Sequence, residues 1–317
     1  YVRPTSLRQA VQQLSAPGSV AHAGGTDLLG CLRDGVFPAE RGVRLAGLEE
    51  LRGITVLPGG GVRLGALTTL AEVAAHPLLA ERYTALAQGA ASAASPQLRN
   101  QGTLGGNLCQ RPRCWYFRGD FPCLRKGGEK CYALDGENVF HCIFGGEACY
   151  MVHPSDTAPA LVALGAQARI SGARGTRNVP LESFFVLPGT NIRRETVLEA
   201  GEVLTEVQLP AAPAGQRSMY RKVRARGSWD FALVGVALAV QLAEGRVVQA
   251  RVVLSGVAPV PWRAVAAEKA LTGQRLDGNT VARAVAASVE GAQPLAQNGY
   301  KVDLVRGVME ETLLAMA

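Results

Sequence analysis

Six of the seven cysteines in this chain fall between Cys109 and Cys149, and only Cys31 lies outside that stretch. Thiolates in such numbers hold metal, hold an iron–sulfur cluster or cross-link. The spacings, in intervening residues, are four from Cys109 to Cys114, eight to Cys123, seven to Cys131, ten to Cys142 and six to Cys149. No C-x-x-C pair occurs, whereas structural zinc sites usually bring a close pair and ferredoxin runs are tighter still. Four thiolates on an irregular loop can nevertheless wrap an iron–sulfur cube. Arg111, Arg113, Arg118 and Arg125 are then expected to offset its negative charge. The residues themselves leave iron–sulfur, zinc and buried free thiols open. An odd cysteine count without a secretion signal argues against a disulfide scaffold. His141 and His153 are imidazoles within reach of such a site, although a core or solvent-facing role is the plainer expectation for each. Trp115-Tyr116-Phe117 is expected to bury the loop against the body.

Two glycine turns could bind an anion. Gly24-Gly25-Thr26-Asp27 follows a strand and precedes a helical turn, so successive backbone N–H groups can face one concavity. The second, Thr103-Leu-Gly105-Gly106-Asn107, has the same character and is also expected beside a strand-like segment. Neither is a GxGxxG or Walker pattern. Two such turns suit a ligand with two phosphates and a long body, for which a dinucleotide is the natural candidate.

The elements that must position these groups can be read coarsely. Residues 5–14 read as a capped helix, 19–23 as a strand, 54–66 as a hairpin and 68–94 as helical with a break at Pro77. The cysteine stretch has little periodicity. Helical pattern resumes over 157–164, followed by strands over 166–171 and 203–209. Residues 210–215 read as a linker. Beyond 217, apolar strands over 231–242 and 246–255 flank a turn at Ala243-Glu-Gly. Helices near 262–272, 278–290 and 300–316 would cover one face of that sheet, giving an α+β fold.

The 317 residues suffice for two or three domains with a proper core. Charged residues make up 19% and hydrophobic residues 48%, a globular composition. The net charge is +7, but the arginines are scattered without interleaved aromatics, so a nucleic-acid surface is not indicated. No apolar run is long enough to span a bilayer. The N-terminus lacks a signal peptide's core, and its abrupt opening leads us to expect residues ahead of Tyr1.

Three motifs in order, Ala23-Gly-Gly-Thr-Asp-Leu-Leu29, Leu98-Arg-Asn-Gln-Gly-Thr-Leu-Gly-Gly-Asn107 and Pro154-Ser-Asp-Thr-Ala-Pro-Ala160, resemble the FAD-binding subunit of the xanthine dehydrogenase family. Tyr220-Arg-Lys-Val and Trp229-Asp-Phe-Ala-Leu resemble that family's flavoprotein C-terminal domain. The resemblance implies an FAD-binding domain over 1–210, with subdomains about 1–50 and 51–210, then a C-terminal domain over 217–317. The cysteine stretch, about 109–150, is similar to an insert that carries a 4Fe–4S cluster in bacterial molybdenum aldehyde oxidoreductases and in the β subunit of 4-hydroxybenzoyl-CoA reductase. Cys109-Gln-Arg-Pro-Arg-Cys-Trp-Tyr-Phe-Arg favours the aldehyde type.

Carried over by position, Gly24, Gly25, Thr26, Asp27 and Leu28 would bind the FAD pyrophosphate. Thr103, Gly105, Gly106 and Asn107 would meet pyrophosphate and flavin, and Asp156, Leu204 and Lys222 the flavin. The resemblance assigns the cluster to Cys114, Cys123, Cys131 and Cys149, with Cys109 the rival of Cys114 and Cys142 spare. It implies an electron-transfer subunit in a heterotrimer with a large molybdenum subunit and a small 2Fe–2S subunit, serving an external acceptor. No catalytic acid–base residue is expected in this chain. The compartment is cytoplasmic, or periplasmic if a partner bears a twin-arginine signal. The alternatives are a 4-hydroxybenzoyl-CoA reductase-type β subunit and a zinc-stabilised interaction subunit without flavin.

Overall fold

The computed structural model describes all residues, Tyr1–Ala317. Helix α1 (Leu7–Leu14) is capped by the Ser6 hydroxyl, which accepts from the Gln9 N–H, and buries Ala10, Val11 and Leu14. Strand β1 (Ser19–His22) pairs in parallel with β2 (Arg41–Arg44), and α2 (Leu28–Arg33) connects them. These elements close a small core with Leu45, Leu48, Leu51 and Val203.

The hairpin β3 (Ile54–Val56) and β4 (Val62–Gly65) opens the second unit. Three short helices follow, α3 (Leu70–Ala75), α4 (Pro77–Arg82) and α5 (Thr84–Ser92). The tract 68–94 is therefore broken twice. Thr69 and Glu72 form a capping box on α3, and Pro77 starts α4 at its first turn, where its missing N–H costs nothing. Next come α6 (Pro96–Gln101), α7 (Leu104–Leu108) and the single turn α8 (Trp115–Arg118) within the cysteine loop. Helix α9 (Thr157–Ala163) buries all seven of its residues. Strands β5 (Gln167–Gly172), β6 (Gly175–Pro180) and β7 (Val203–Leu209) complete an antiparallel sheet of order β3-β4-β7-β5-β6.

The last third forms a sheet of order β11-β10-β9-β8 from β8 (Gln216–Val223), β9 (Val234–Ala243), β10 (Arg246–Ser255) and β11 (Trp262–Arg263). Helices α10 (Val265–Leu271) and α12 (Tyr300–Leu314) pack on it, and α11 (Gly278–Ala287) packs against both of those helices. These helices cover one face, as expected, and the opposite face is covered by the first part of the chain. Helices α5 and α9 contact the same sheet, and Tyr220, Ala237, Ala239 and Val253 share a core with Leu86, Leu161 and Val207. Fully burying one such leucine or valine stabilises by roughly 1.5–3 kcal/mol, so these faces are held together by apolar contact. The linker expected at 210–215 thus leads directly into packed structure.

Strands β6 and β8 escape the periodicity reading for a physical reason. β6 is almost wholly exposed, and β8 mixes polar, charged and apolar residues without alternation directly after the apparent linker.

Candidate functional site

The turn after β1 has the geometry of an anion site. Gly25 adopts φ +75°, a left-handed conformation that glycine enters without strain. The backbone N–H groups of Gly24, Gly25, Thr26 and Asp27 donate to no protein acceptor. A Cβ on Gly24 would run into the Gln101 carbonyl, so glycine also permits the close approach of the turn to α6.

The second turn differs from expectation. It forms the cap and first turn of α7, which packs against β7, and its N–H groups are already used: Leu104 donates to Thr68 O, Gly105 to Ala66 O and Gly106 to the Thr103 hydroxyl. Gly105 is needed because a Cβ there would press on Ala66. This turn therefore contributes a close-packed wall, with Thr103 as the helix cap, and no nest of free N–H donors.

The two turns meet in a trough of joined cavities. The first, about 450 Å³, takes in Gly24, Gly25, Thr26, Asp27, Leu28, Thr103, Gly105, Gly106 and Leu204, with Leu45, Leu51 and Leu67 as an apolar wall. The second, about 430 Å³, shares Thr26, Asp27, Thr103, Gly106 and Gln110 with it and continues to Asn107 and Asp156. A third chamber of about 140 Å³ shares Arg113, Pro154, Asp156 and Phe231 with the second. The larger volumes suit a small-molecule cofactor site.

Asn107 fixes the junction. Its Oδ1 accepts from Ser155 Oγ at 2.5 Å and Thr157 Oγ1 at 2.6 Å, while its Nδ2 has no protein acceptor. The cysteine loop thus departs from and returns to one hydrogen-bonded point. Asp156, at the N-terminus of α9, accepts from Tyr220 Oη at 2.8 Å and from Lys222 Nζ at 2.8 Å. Burial raises its pKa, and Lys222 opposes that rise. Lys222 itself stands behind Asp156, bonded also to Ser92 O, and does not line the trough.

The Asp27 side chain is taken up by the cysteine loop. Its carboxylate accepts from Arg118 Nη2 and the Arg111 N–H, both at 2.7 Å, and pairs with Arg113 at 3.1 Å. It ties the glycine turn to the cysteine loop. The arginines accordingly correct a second expectation. Arg113 and Arg118 pair with Asp27, and Arg111 with Glu195 at 3.1 Å. Only Arg125 lines the thiol cavity, and it too pairs with Glu195, at 2.6 Å.

That cavity is small, about 10 Å³, and its cysteines are Cys114, Cys123, Cys131 and Cys149, with Tyr116, Phe117, Leu124, Arg125, Tyr132 and Met151 completing the wall. Cys109 lies instead in the first cavity of the trough, its thiol pushed up to about 12 by burial. Cys142 is buried apart, also pushed up to about 12. Cys131 is lowered to about 6, first by its hydrogen bond with Cys149 and further by the N–H groups of Tyr150, Ala133 and Leu134. Cys149 is correspondingly raised. Burial lifts Cys114 to about 11 against N–H groups of Phe117 and Tyr116. Of the four thiols in this cavity, Cys131 is therefore the one whose surroundings favour thiolate. No three His, Cys, Asp or Glu side chains converge on one point as ligands of a single ion. A cube carries its irons at separate corners, so its four thiolates need not converge.

The histidines are both buried. His141 places Nε2 3.3 Å from Cys114 Sγ, closer to the thiols than expected, and burial lowers its pKa to about 4. His153 is also lowered to about 4 by burial and packs edge-on against Phe185. The aromatic triplet behaves as expected: Phe117 is 2% exposed, and Tyr116 stacks on Tyr132. Sequence reading missed Gln110, Arg226, Trp229 and Phe231 in the trough walls. Trp229 shows φ +51°, and Arg113 lies 5.1 Å over the Phe231 ring. Only the Trp229-Asp-Phe motif pointed toward them.

Comparison with known proteins matches residues 1–212 to the FAD binding domain in molybdopterin dehydrogenase, and 218–316 to the CO dehydrogenase flavoprotein C-terminal domain. The chain is 37% identical over 314 residues to the aldehyde oxidoreductase FAD-binding subunit PaoB of Escherichia coli K12, covering 98% of this chain and 95% of that one. It is 28% identical to the carbon monoxide dehydrogenase medium chain of Hydrogenophaga pseudoflava, over 93% and 87%. Among solved structures, carbon monoxide dehydrogenase from that organism superposes with a TM-score of 0.78 at 28% identity, covering 99% and 96%. Quinoline 2-oxidoreductase from Pseudomonas putida 86 gives 0.76 at 26% identity, over 99% and 94%.

Proposed function

The chain belongs to the FAD-binding subunits of the xanthine dehydrogenase and carbon monoxide dehydrogenase family of molybdenum oxidoreductases, and on that premise we propose that it is the FAD- and 4Fe–4S-carrying electron-transfer subunit of an aldehyde oxidoreductase. The 37% identity to PaoB favours the aldehyde type within the family. The partners in this reading are a large molybdenum subunit and a small 2Fe–2S subunit, and an external acceptor takes the electrons. The FAD-binding part spans 1–210 and the C-terminal part 217–317. No helix is long and apolar enough to cross a membrane.

The residues present fit FAD. The free N–H groups of Gly24 to Asp27 and the Thr26 hydroxyl would hold the pyrophosphate, with Leu28 and Leu204 beside them. The wall of Leu45, Leu51 and Leu67 suits an adenine ring. Thr103, Gly105 and Gly106 would close the opposite side. Asn107 Nδ2 and Asp156 would face the flavin ring, and Lys222 would hold Asp156 in place. FAD supplies exchange of electrons singly or in pairs, and the surrounding groups set its potential. The buried Asp156–Lys222 pair would stand beside the ring and contribute to setting its potential.

The donor set also fits an iron–sulfur cube. The observation that carries this is that, of six clustered cysteines, Cys114, Cys123, Cys131 and Cys149 alone share one cavity, walled by Tyr116, Phe117 and Tyr132. Such a cluster supplies one-electron storage beside the flavin, tuned by burial and hydrogen bonds to sulfur.

The visible spectrum and iron analysis of the purified protein test both cofactors. Flavin bands over a broad iron–sulfur shoulder are expected. Cys131→Ser should remove about four irons per chain, whereas Cys109→Ala and Cys142→Ala should retain them. A colourless protein overturns the flavin reading; flavin bands with unchanged iron in Cys131→Ser overturn the cluster assignment.

A further inference from the structure

Cys114 differs from the other three thiols in one respect. It lines the thiol cavity and also the third chamber of the trough, together with His141, Pro154, Ser155 and Asp156. The other three touch only the thiol cavity. Cys114 and Met151 line both cavities and so form the wall between the two sites, with His141 on its chamber side.

The His141 ring is held from several sides. Trp115 packs against it edge-on at 5.6 Å, and Tyr116 lies 6.0 Å away. Its main chain is fixed by the C-terminal part: Asn298 Nδ2 donates to His141 O at 3.0 Å, and Lys301 Nζ to Phe140 O at 2.9 Å. The side chain is buried, Nδ1 has no partner, and Nε2 sits 3.3 Å from Cys114 Sγ. A cysteine that ligates iron is a thiolate and has no proton to give. The hydrogen bond can then run only from the Nε2–H to sulfur.

We infer that His141 donates its Nε2–H to the Cys114 sulfur and, as a positioning residue, makes Cys114 the ligand that couples the thiol site to the flavin chamber. The inference rests on the cluster reading above. Reduction adds negative charge that spreads onto the ligand sulfurs, and a donor on one of them stabilises the reduced form more than the oxidised form. Removing the donor should make the cluster harder to reduce.

The test uses the whole enzyme with its partner subunits. Redox titration followed by electron paramagnetic resonance reads the four-iron signal, and the flavin absorbance is titrated in parallel. His141→Phe keeps an aromatic ring without the donor. Its four-iron signal should persist with the reduction equilibrium weakened roughly tenfold, ~59 mV for one electron. The flavin equilibrium should move less. His141→Gln, which restores an N–H donor, should recover part of the shift. Full iron in His141→Phe with a wild-type cluster potential overturns the inference while leaving the cluster reading intact. If His141→Phe loses its iron, His141→Gln decides: a retained cluster near the wild-type potential supports the inference, and loss there too overturns it. Absence of any four-iron signal in the wild-type enzyme overturns the cluster reading and this inference with it.

Discussion

Glu195→Gln tests whether buried ion pairing holds the cysteine loop in place. Glu195 is 7% exposed and bridges two arginines, Arg125 at 2.6 Å and Arg111 at 3.1 Å. The Arg125 side chain is 1% exposed, and its Nε and Nη2 have no acceptor, so Glu195 is the anion that balances it. Breaking a buried pair from one side leaves an uncompensated charge and costs about 3–5 kcal/mol. The lower end applies because Arg111 is part-exposed and glutamine retains an acceptor oxygen, so we expect ~3 kcal/mol. At 1.36 kcal/mol per power of ten, that is roughly a hundredfold rise in local opening of the loop. Amide hydrogen exchange measures it where Leu124 N–H bonds Lys130 O and Gly128 N–H bonds Cys123 O. Exchange there should accelerate about a hundredfold, while amides of β9 and β10 stay unchanged. Adding Arg125→Met should restore much of the protection, since an apolar replacement for a buried pair is tolerated. Loop amides within threefold of wild type in Glu195→Gln would refute the reasoning.

Three further outcomes follow from the trough and the core. Gly24→Ala should lower bound flavin severalfold, read as the ratio of flavin to protein absorbance, because its Cβ meets the Gln101 carbonyl; wild-type flavin content would contradict the close-approach role of this glycine. Asp156→Asn strands Lys222, whose side chain is 3% exposed, and should destabilise by about 3 kcal/mol, visible as a drop of several degrees in melting temperature that adding Lys222→Met largely reverses. His153 is held neutral, with its pKa at about 4 against an ordinary 6.5. The unfolded chain therefore takes up its proton first as pH falls, and the stability present above pH 6.5 declines toward pH 4, by up to about 3 kcal/mol. Denaturation midpoints across that range should show a shallower decline in His153→Phe; an identical slope would rule out His153 as a contributor.

Much of the local structure was legible because it rests on short-range rules. The capped helix at Leu7–Leu14, the hairpin at 54–65 and the paired strands β9 and β10 follow from caps, turn glycines and apolar runs within each segment. The exposed strand β6 and the mixed strand β8 were not legible, because their pairing depends on partners elsewhere in the chain. The first glycine turn leaves its N–H groups without protein acceptors, as its glycines allowed. The second does not, since its donors are taken by Ala66 and Thr68, residues that only folding brings near.

The sequence by itself determined that a thiol-rich loop departs just after one glycine turn and returns just before Pro154-Ser-Asp156. Residue type and order suffice for that. The tertiary structure decides which thiols line one cavity. Spacing could not separate Cys109 from Cys114, but the fold sends Cys109 into the trough and Cys114 to the wall between trough and thiol cavity. It also decided where the charges go, pairing Asp27 and Glu195 with arginines that looked free in the sequence. The physical reason is common to both cases. Side-chain chemistry is local, whereas burial, ion pairing and cavity sharing are set by contacts between residues far apart in the chain.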